Sequence, residues 1–246
     1  MIKQSILALA AVSAGTAAYA AEAAKSNDVA FTLDVSYVSD YVFRGVKVSD
    51  SALQPSLEAT YADFYAGAWH SNEISGNTPA PTVAVPIPVQ DETDLYVGLK
   101  HKLDDTFSAD VGVTRYLYNG GSQIDSSEVY VGINANVLLS PSIYAYYDFD
   151  NEVATYIGSV GYSLPIEAIK SSLDFSASVG FVDINGGQEY LYGVAGVAIP
   201  YKLSDTSTLT VGVDYIANDD DNIAGVQTLG GGNDTVVAKV GLTVTF

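Results

Sequence analysis

One stretch, residues 34–50, reads DVSYVSDYVFRGVKVSD and alternates in character from one residue to the next. From residue 29 the odd positions are mostly aliphatic or aromatic, up to Phe43, whereas the even positions are mostly small or polar, up to Arg44. This alternation is typical of a β-strand with one apolar and one wettable face. Ordinary strands have about 5 or 6 residues, so residues 29–46 indicate an unusually long strand.

The composition limits the class of protein. The chain has 246 residues, 22 Gly, 18 Tyr and no Cys, and its 29 acidic residues outnumber 10 Lys and Arg to give a net charge of −19. This length allows one large all-β domain. Nucleic-acid binding needs a basic surface, so the acidic balance excludes it. Without cysteine there is no disulfide framework.

Residues 1–20 have the three parts of a secretory signal peptide. Lys3 gives a positive start, residues 6–12 are apolar, and Ala18-Tyr19-Ala20 is a small-residue cleavage site. We therefore expect cleavage after Ala20 and export of the remaining chain.

Alternating segments of about ten residues, closed by turn formers, recur along the rest of the chain, and this pattern is typical of a transmembrane β-barrel. We predict an all-β, antiparallel, up-and-down barrel of about 12 strands over residues 29–246, preceded by a short periplasmic segment at 21–28. The predicted strands are 29–46, 52–61, 64–71, 93–101, 106–117, 127–138, 142–149, 153–164, 172–183, 189–199, 207–217 and 234–246.

The connections between these segments also point to the bacterial outer membrane. Short turns alternate with longer loops such as 72–92, 117–126 and 218–233, as in outer-membrane barrels with both termini on the short-turn side. The last segment alternates and ends on Phe246, which is typical of the signal read by the outer-membrane assembly machinery. The outward residues are expected to contact outer-membrane lipids and lipopolysaccharide.

In this arrangement the opening stretch leaves the membrane at its outer surface. Tyr41 and Phe43 then belong to the aromatic girdle at that surface. Arg44 points inward or lies at the rim, and Gly45 loosens the strand where it ends.

Several blocks resemble the TorF family of porins from Gram-negative bacteria. They are Tyr41-Val42-Phe43-Arg44-Gly45 and Phe64 to Trp69, followed by Asp94 to Gly98, Glu128 to Gly132 and the terminal Phe246. The resemblance covers essentially the whole chain after the signal peptide, and the proline-rich stretch from Pro79 to Pro88 departs from it. It implies an outer-membrane porin.

The strand parity places a set of charged residues inside the barrel or at its rims, as candidates for lining a pore. They are Asp34, Asp40, Arg44, Glu58, Asp94, Lys100, Asp110, Glu128, Asp148, Asp174, Asp214 and Lys239. Acidic residues dominate this set, and rings of one charge select ions of the other, so the lumen would favour cations. Alternatively, the carboxylates pair with Arg, Lys and Tyr inside a filled barrel. Eight strands give a filled interior and about sixteen a channel, so twelve strands leave both alternatives open.

Three further features have a functional and a structural interpretation. Inward tyrosines form either an aromatic track for a solute or part of the packing; they are Tyr96, Tyr116, Tyr130, Tyr144 and Tyr146. The acidic stretch at 218–222 offers calcium ligands or is a solvated loop. His70 near the outer rim is the candidate base of a barrel hydrolase, although no nucleophile motif accompanies it.

We therefore predict a passive, weakly cation-preferring outer-membrane porin for small hydrophilic solutes, with no catalytic residue, metal or cofactor. The main alternative is a non-conducting barrel that acts as a structural or adhesion protein through its outer loops. A hydrolase using His70 is the third possibility. The sequence predicts no oligomeric state.

Overall fold

The protein is a closed barrel of twelve antiparallel strands, which confirms the predicted fold class. The computed structural model describes residues 28–74, 91–118, 125–185, 187–220, 222–223, 226–227, 229 and 232–246. The expected signal peptide and the proline-rich stretch lie outside these residues, as does all of 21–28 except Asp28. We number the barrel strands β1 (Ala30–Val38), β2 (Ala52–Tyr61), β3 (Phe64–Glu73), β4 (Glu92–Lys102), β5 (Phe107–Tyr118), β6 (Ser126–Ala135), β7 (Ser142–Asp148), β8 (Val153–Ile166), β9 (Ser171–Ile184), β10 (Gln188–Lys202), β11 (Ser207–Asn218) and β12 (Asp234–Thr245).

Each strand pairs with its neighbours in sequence, and β1 pairs with β12 to close the ring. At the closure Val35 lies opposite Leu242, and the rings of Phe31 and Phe246 stack with their centroids 5.9 Å apart. The backbone of Phe246 also exchanges hydrogen bonds of 2.8 and 2.9 Å with that of Phe31. The C-terminal aromatic residue is therefore part of the seam that closes the barrel.

The two faces of the wall differ as the alternation predicts. On β6, Val129, Val131 and Ile133 are exposed on the outside, whereas Glu128 is buried inside. The same exposure of large apolar side chains recurs around the barrel, and such an exterior is stable only where lipid covers it. Among the described residues, no helix is both long and apolar enough to cross a membrane. The one helix described is a single 3-10 turn, Glu167–Ile169.

Connections at one end of the barrel are uniformly short, for example Ala62-Asp63 between β2 and β3. At the other end the connections after β1, β3, β5 and β11 are longer, while those after β7 and β9 have only a few residues. Two-residue strands, Asn222–Ile223 and Val226–Gln227, pair with each other in the loop after β11.

The first predicted strand, 29–46, is correct up to Val38 and wrong beyond it. β1 ends at Val38, and the chain then forms two short strands, Tyr41–Phe43 and Val46–Ser49, that pair only with each other. We call residues 41–49 the inserted hairpin. Arg44 and Gly45 form its turn, both with positive φ, at 48° and 78°. The two short strands also alternate in character from one residue to the next. The alternation in the sequence therefore continues past Val38, although the barrel strand ends there.

The inserted hairpin folds into the barrel instead of extending from it. Tyr41, Val42 and Val48 are each no more than 2% exposed, and Phe43 packs against the same buried cluster. The prediction that Tyr41 and Phe43 belong to a lipid-facing girdle is therefore wrong. Their rings face the lumen because the hairpin leaves the plane of the sheet after Ser39-Asp40.

Candidate functional site in the barrel lumen

An ion pair joins the turn of the inserted hairpin to the barrel wall. Arg44 Nη1 lies 2.8 Å from Glu128 Oε2, and Arg44 Nη2 lies 2.8 Å from Glu128 Oε1. Both side chains are almost completely buried, with 7% and 2% exposure. A bidentate pair of this kind combines charge with a fixed planar geometry, so it holds the hairpin in one position.

Barrel side chains complete the surroundings of the guanidinium. Tyr116 donates a 2.9 Å hydrogen bond to Glu128 Oε1, and Arg44 Nη1 donates one of 3.0 Å to Thr155 Oγ1. The ring of Tyr146 lies 4.8 Å from the Arg44 guanidinium carbon, a cation–π distance. We call Tyr116, Glu128, Tyr146 and Thr155 the Arg44 pocket. These residues lie on four consecutive strands, β5 to β8.

Two further hydrogen bonds anchor the hairpin at other points of the ring. Tyr41 donates a 2.9 Å hydrogen bond to Glu92 Oε2, and its ring lies 5.5 Å from that of Trp69. On the other side, Asn218 Nδ2 donates a 3.0 Å hydrogen bond to the carbonyl of Gly45. The hairpin is therefore fixed to the wall on both sides of its turn.

Lys47 closes the base of the hairpin through salt bridges to Asp40 and Asp50. Partial burial opposes the charge of Lys47, but its hydrogen bonds to Asp40 and Asp50 raise the pKa of the ammonium above its ordinary value. Lys47 thus stays charged and links the two chain segments that enter and leave the hairpin.

Apolar packing covers the face of the hairpin that the polar contacts leave free. The hairpin contributes Val42, Val46 and Val48, and the wall contributes inward apolar residues of β1, β2 and β9 to β12. In a water-filled lumen such residues would face water, and here the hairpin covers them. The wall residues of this cluster are Val38, Ala52, Val182, Tyr190, Tyr192, Val194, Ile216 and Val237.

Together these contacts cross the lumen from one side to the other. The hairpin starts between β1 and β2, and Arg44 reaches β6 and β8, which flank the strand opposite β1 in a ring of twelve. The hairpin contacts wall residues on eight strands, namely Trp69, Glu92, Tyr116, Glu128, Tyr146, Thr155, Tyr192 and Asn218. At this level the hairpin occupies the cross-section of the barrel.

Below the hairpin, toward the short-turn end, one wall carries tyrosines paired with carboxylates. Tyr65 and Tyr144 donate hydrogen bonds of 2.8 and 2.9 Å to the two oxygens of Asp110, and Tyr96 donates one of 3.1 Å to Glu58. Tyr65 lies flat over Gly98, its partner on the next strand, where an added Cβ would overlap the ring. These contacts show tyrosines that lie along the wall, and an aromatic track for a solute stays a prediction.

The opposite wall, on β8 to β12, is lined with small residues. They are only partly buried. The side chains of Asp214 and Lys239 lie over two of the glycines, Gly196 and Gly212. An open path along the axis in this half of the barrel therefore stays a prediction. The small inward residues are Ser159, Gly161, Ser163, Ser176, Gly196 and Gly212.

The predicted lining residues divide into three groups. Arg44 and Glu128 form the central pair, and Asp40 lies at the base of the hairpin with Lys47. The others lie on inward positions of barrel strands and are buried or half-buried: Asp34, Glu58, Asp94, Lys100, Asp110, Asp148, Asp174, Asp214 and Lys239. This placement is what the parity predicts, whereas a role in lining a conducting pore stays a prediction.

Many of the inward carboxylates have partners inside the barrel. Lys239 Nζ lies 2.5 Å from Asp214 Oδ2. Asp34 accepts hydrogen bonds from Ser36 and Thr243 at 2.5 and 2.7 Å. Asp174 is buried without a hydrogen-bond partner among the described residues. Internal pairing therefore accounts for part of the set, and an excess of negative charge remains.

The other candidate features have local partners. His70 Nδ1 hydrogen-bonds to Thr93 Oγ1 at 2.9 Å. In the acidic stretch, Asn218 bonds to the hairpin, and Asp219 accepts a 2.7 Å hydrogen bond from the backbone of Leu191. Asp221 lies outside the described residues. Sequence reasoning missed the roles of Tyr41, Glu92 and Thr155 in the lumen.

Comparison with known proteins places the chain in a family. A family model described as "Bacterial protein of unknown function (Gcw_chp)" matches residues 21–245. The chain belongs to this family. No curated protein matches it. The resemblance to TorF-family porins stays a prediction.

Solved structures share the barrel fold at low identity. A KdgM porin is 13% identical with a TM-score of 0.58, over 87% of this chain and 99% of that one. A NanC porin is 15% identical with a TM-score of 0.54, over 87% and 98%. An outer membrane channel from Pseudomonas putida F1 is 12% identical with a TM-score of 0.51, over 91% and 97%. At these identities the similarity shows the fold.

Proposed function

We propose that this Gcw_chp protein is an outer-membrane channel for small hydrophilic solutes, with a weak preference for cations, and that the inserted hairpin narrows or closes it. The observation that carries the proposal is the combination of a lipid-compatible exterior with an interior of charged and hydroxyl side chains. Membrane barrels with polar interiors serve as channels when that interior stays wet. The structural similarity to KdgM and NanC porins supports the same function.

Cation preference follows from the charges on the lumen wall. The inward carboxylates include Asp34, Glu58, Asp110 and Asp174, whereas the inward basic residues of the described barrel strands are Lys100 and Lys239, with Lys102 and Lys202 at the exposed short-turn rim. Arg44, on the hairpin, is matched by Glu128. A passing cation meets an excess of fixed negative charge, and an anion meets repulsion.

The position of the hairpin favours a second candidate, a barrel that does not conduct and serves a structural or adhesive role. In that case the hairpin is a permanent part of the packing. The two candidates differ in the wild type, because a channel conducts with the hairpin present, at least in small or rare steps, whereas a barrel that the hairpin fills permanently does not conduct.

The experiment compares single-channel conductance of the refolded chain with that of a variant in which a short Gly-Ser linker replaces residues 40–50. Both proteins are first shown to be folded by heat-modifiable migration. We expect small or rare steps from the wild type, larger steps from the variant, and a cation-selective reversal potential under a KCl gradient. A folded wild type that gives no steps would overturn the channel and favour the structural role even if the variant conducts, and a folded variant without conductance would overturn the channel as well. Steps without selectivity would overturn the cation preference alone.

A further inference from the structure

The Arg44 pocket belongs entirely to the barrel wall. Glu128 supplies the carboxylate, Tyr116 orients it through a hydrogen bond, Thr155 offers a hydroxyl oxygen, and Tyr146 offers a ring face. None of these four residues is part of the inserted hairpin. The wall therefore carries a site of defined shape, and the hairpin inserts a guanidinium into it.

The chemistry of the pocket is that of a guanidinium receptor. Two carboxylate oxygens accept the two parallel N–H groups of a planar fork, which a spherical cation cannot provide. An aromatic face at 4.8 Å adds a cation–π contact. Tyr116 donates a hydrogen bond to Glu128 Oε1, so a residue of the wall helps to hold the plane of the carboxylate and preorganises the receptor.

The pocket also favours a cation. With Arg44 in place the Glu128 side chain is only 2% exposed, and a carboxylate buried to that degree without a counter-charge is strongly unfavourable. If the hairpin withdraws, Glu128 must bind another cation, admit water or take up a proton. A solute with the shape of the Arg44 side chain is the best replacement for it.

We propose that the Arg44 pocket binds guanidinium-bearing solutes and that Arg44 is an internal competitor for the same site. Binding of the solute displaces the turn of the inserted hairpin, and departure of the solute lets Arg44 return. The binding itself is independent of conduction, whereas its consequence for transport rests on the proposed function. The alternative is that the pair is only a structural link between hairpin and wall.

Trp69 provides a direct readout of the hairpin. It is the one tryptophan of the sequence, and its ring lies 5.5 Å from that of Tyr41. Movement of the hairpin changes the surroundings of this indole, so the fluorescence of Trp69 reports the position of the hairpin. The measurement is made in detergent micelles and does not depend on conductance.

The test titrates methylguanidinium, at millimolar concentrations that do not denature proteins, into the full chain carrying Arg44→Ala. We expect a saturable change in Trp69 fluorescence and a rise in thermal stability, because the ligand binds only the folded state. The matched control is Arg44→Ala with Glu128→Gln, whose affinity we expect to be lower by about thirtyfold or more. Tetramethylammonium at the same ionic strength tests whether the N–H groups matter.

Each outcome decides between receptor and structural link. Saturable binding that depends on Glu128 and fails with tetramethylammonium supports the receptor. A folded Arg44→Ala protein with no saturable response overturns it. If Arg44→Ala does not fold alone, it is refolded with methylguanidinium present, where rescue supports the receptor and failure overturns it. If Arg44→Ala binds methylguanidinium but the hairpin-deleted variant does not conduct, the receptor is kept and the channel is rejected. If the hairpin-deleted variant conducts but Arg44→Ala does not bind methylguanidinium, the channel is kept and the receptor is rejected.

Discussion

Arg44 and Glu128 are 84 residues apart in the sequence, and their charged groups meet with both N···O distances at 2.8 Å inside the lumen. This contact turns a surface connection between β1 and β2 into an internal element. It also explains why an arginine and a glycine stand within the alternating stretch: Gly45 permits the turn, and Arg44 beside it reaches across the barrel.

The first prediction concerns this pair. Arg44→Ala leaves Glu128 buried without a cation, and breaking a buried pair from one side costs about 3–5 kcal/mol. We expect a loss of this size in the free energy of unfolding, measured by urea titration of the protein in lipid vesicles. Glu128→Gln alone should cost a similar amount, because the guanidinium of Arg44 is then the buried charge without a counter-charge.

A double-mutant cycle separates the pair from other effects. In Arg44→Ala with Glu128→Gln no buried charge remains unpaired, so we expect about 1–3 kcal/mol of the loss to be recovered. Strictly additive losses would show that the two residues act independently and would contradict the assigned contact.

The second prediction concerns Gly45. Its φ is 78°, and a Cβ added there would overlap the Cβ of Tyr192. Gly45→Ala should therefore combine backbone strain with a clash, at a cost of about 1–3 kcal/mol. We expect the hairpin to leave the lumen in part of the molecules, seen as a changed Trp69 fluorescence and greater cleavage by an added protease. Gly187→Ala, at a similar φ of 89° with no atom near its added Cβ, isolates the contribution of strain.

The sequence predicted the barrel well because its two signals are local. Eleven of the twelve predicted strands agree with the structure to within about three residues at either end. Alternation identifies residues that face lipid, and turn formers mark the points where a strand must end. Both follow from the chain near each residue, without knowledge of the rest of the fold.

The inserted hairpin could not be predicted from the same signals, because its two strands alternate just as a barrel strand does. Two observations in the sequence do point to it. Turn formers at Ser39-Asp40, Arg44-Gly45 and Ser49-Asp50 divide the stretch into short pieces. Val182, Val194 and Val237 are apolar residues at inward positions, and a wet lumen gives them no reason to be apolar. The partner of Arg44 depends on the three-dimensional arrangement and has no local signal.

The third prediction tests the tyrosine-lined wall. At Gly98 an added Cβ would overlap the Tyr65 ring, whose hydroxyl donates to Asp110. Gly98→Ala must displace the ring or the strand, and overpacking of this kind costs about 1–3 kcal/mol. Gly158→Ala is the matched control, because no atom lies within 4 Å of its added Cβ. We expect a lower midpoint of urea unfolding for Gly98→Ala and an unchanged or slightly higher one for the control. Equal midpoints would show that the ring does not rest on Gly98.

The fourth prediction tests which surface contacts lipid. Val131 lies on the outside of β6 and is 54% exposed, and Leu203, in the turn after β10, is also 54% exposed. A lysine costs about 2–4 kcal/mol at the membrane midplane and about 0–1 kcal/mol near its edges. We therefore expect Val131→Lys to lower the yield and stability of folding into lipid vesicles, and Leu203→Lys to leave both nearly unchanged. If solvent exposure alone decided the outcome, the two lysine variants would fold equally well, because the two side chains are equally exposed. A difference in their folding yield or stability therefore measures the effect of contact with lipid. If both lysines were tolerated, the middle of the barrel wall would not lie in a bilayer.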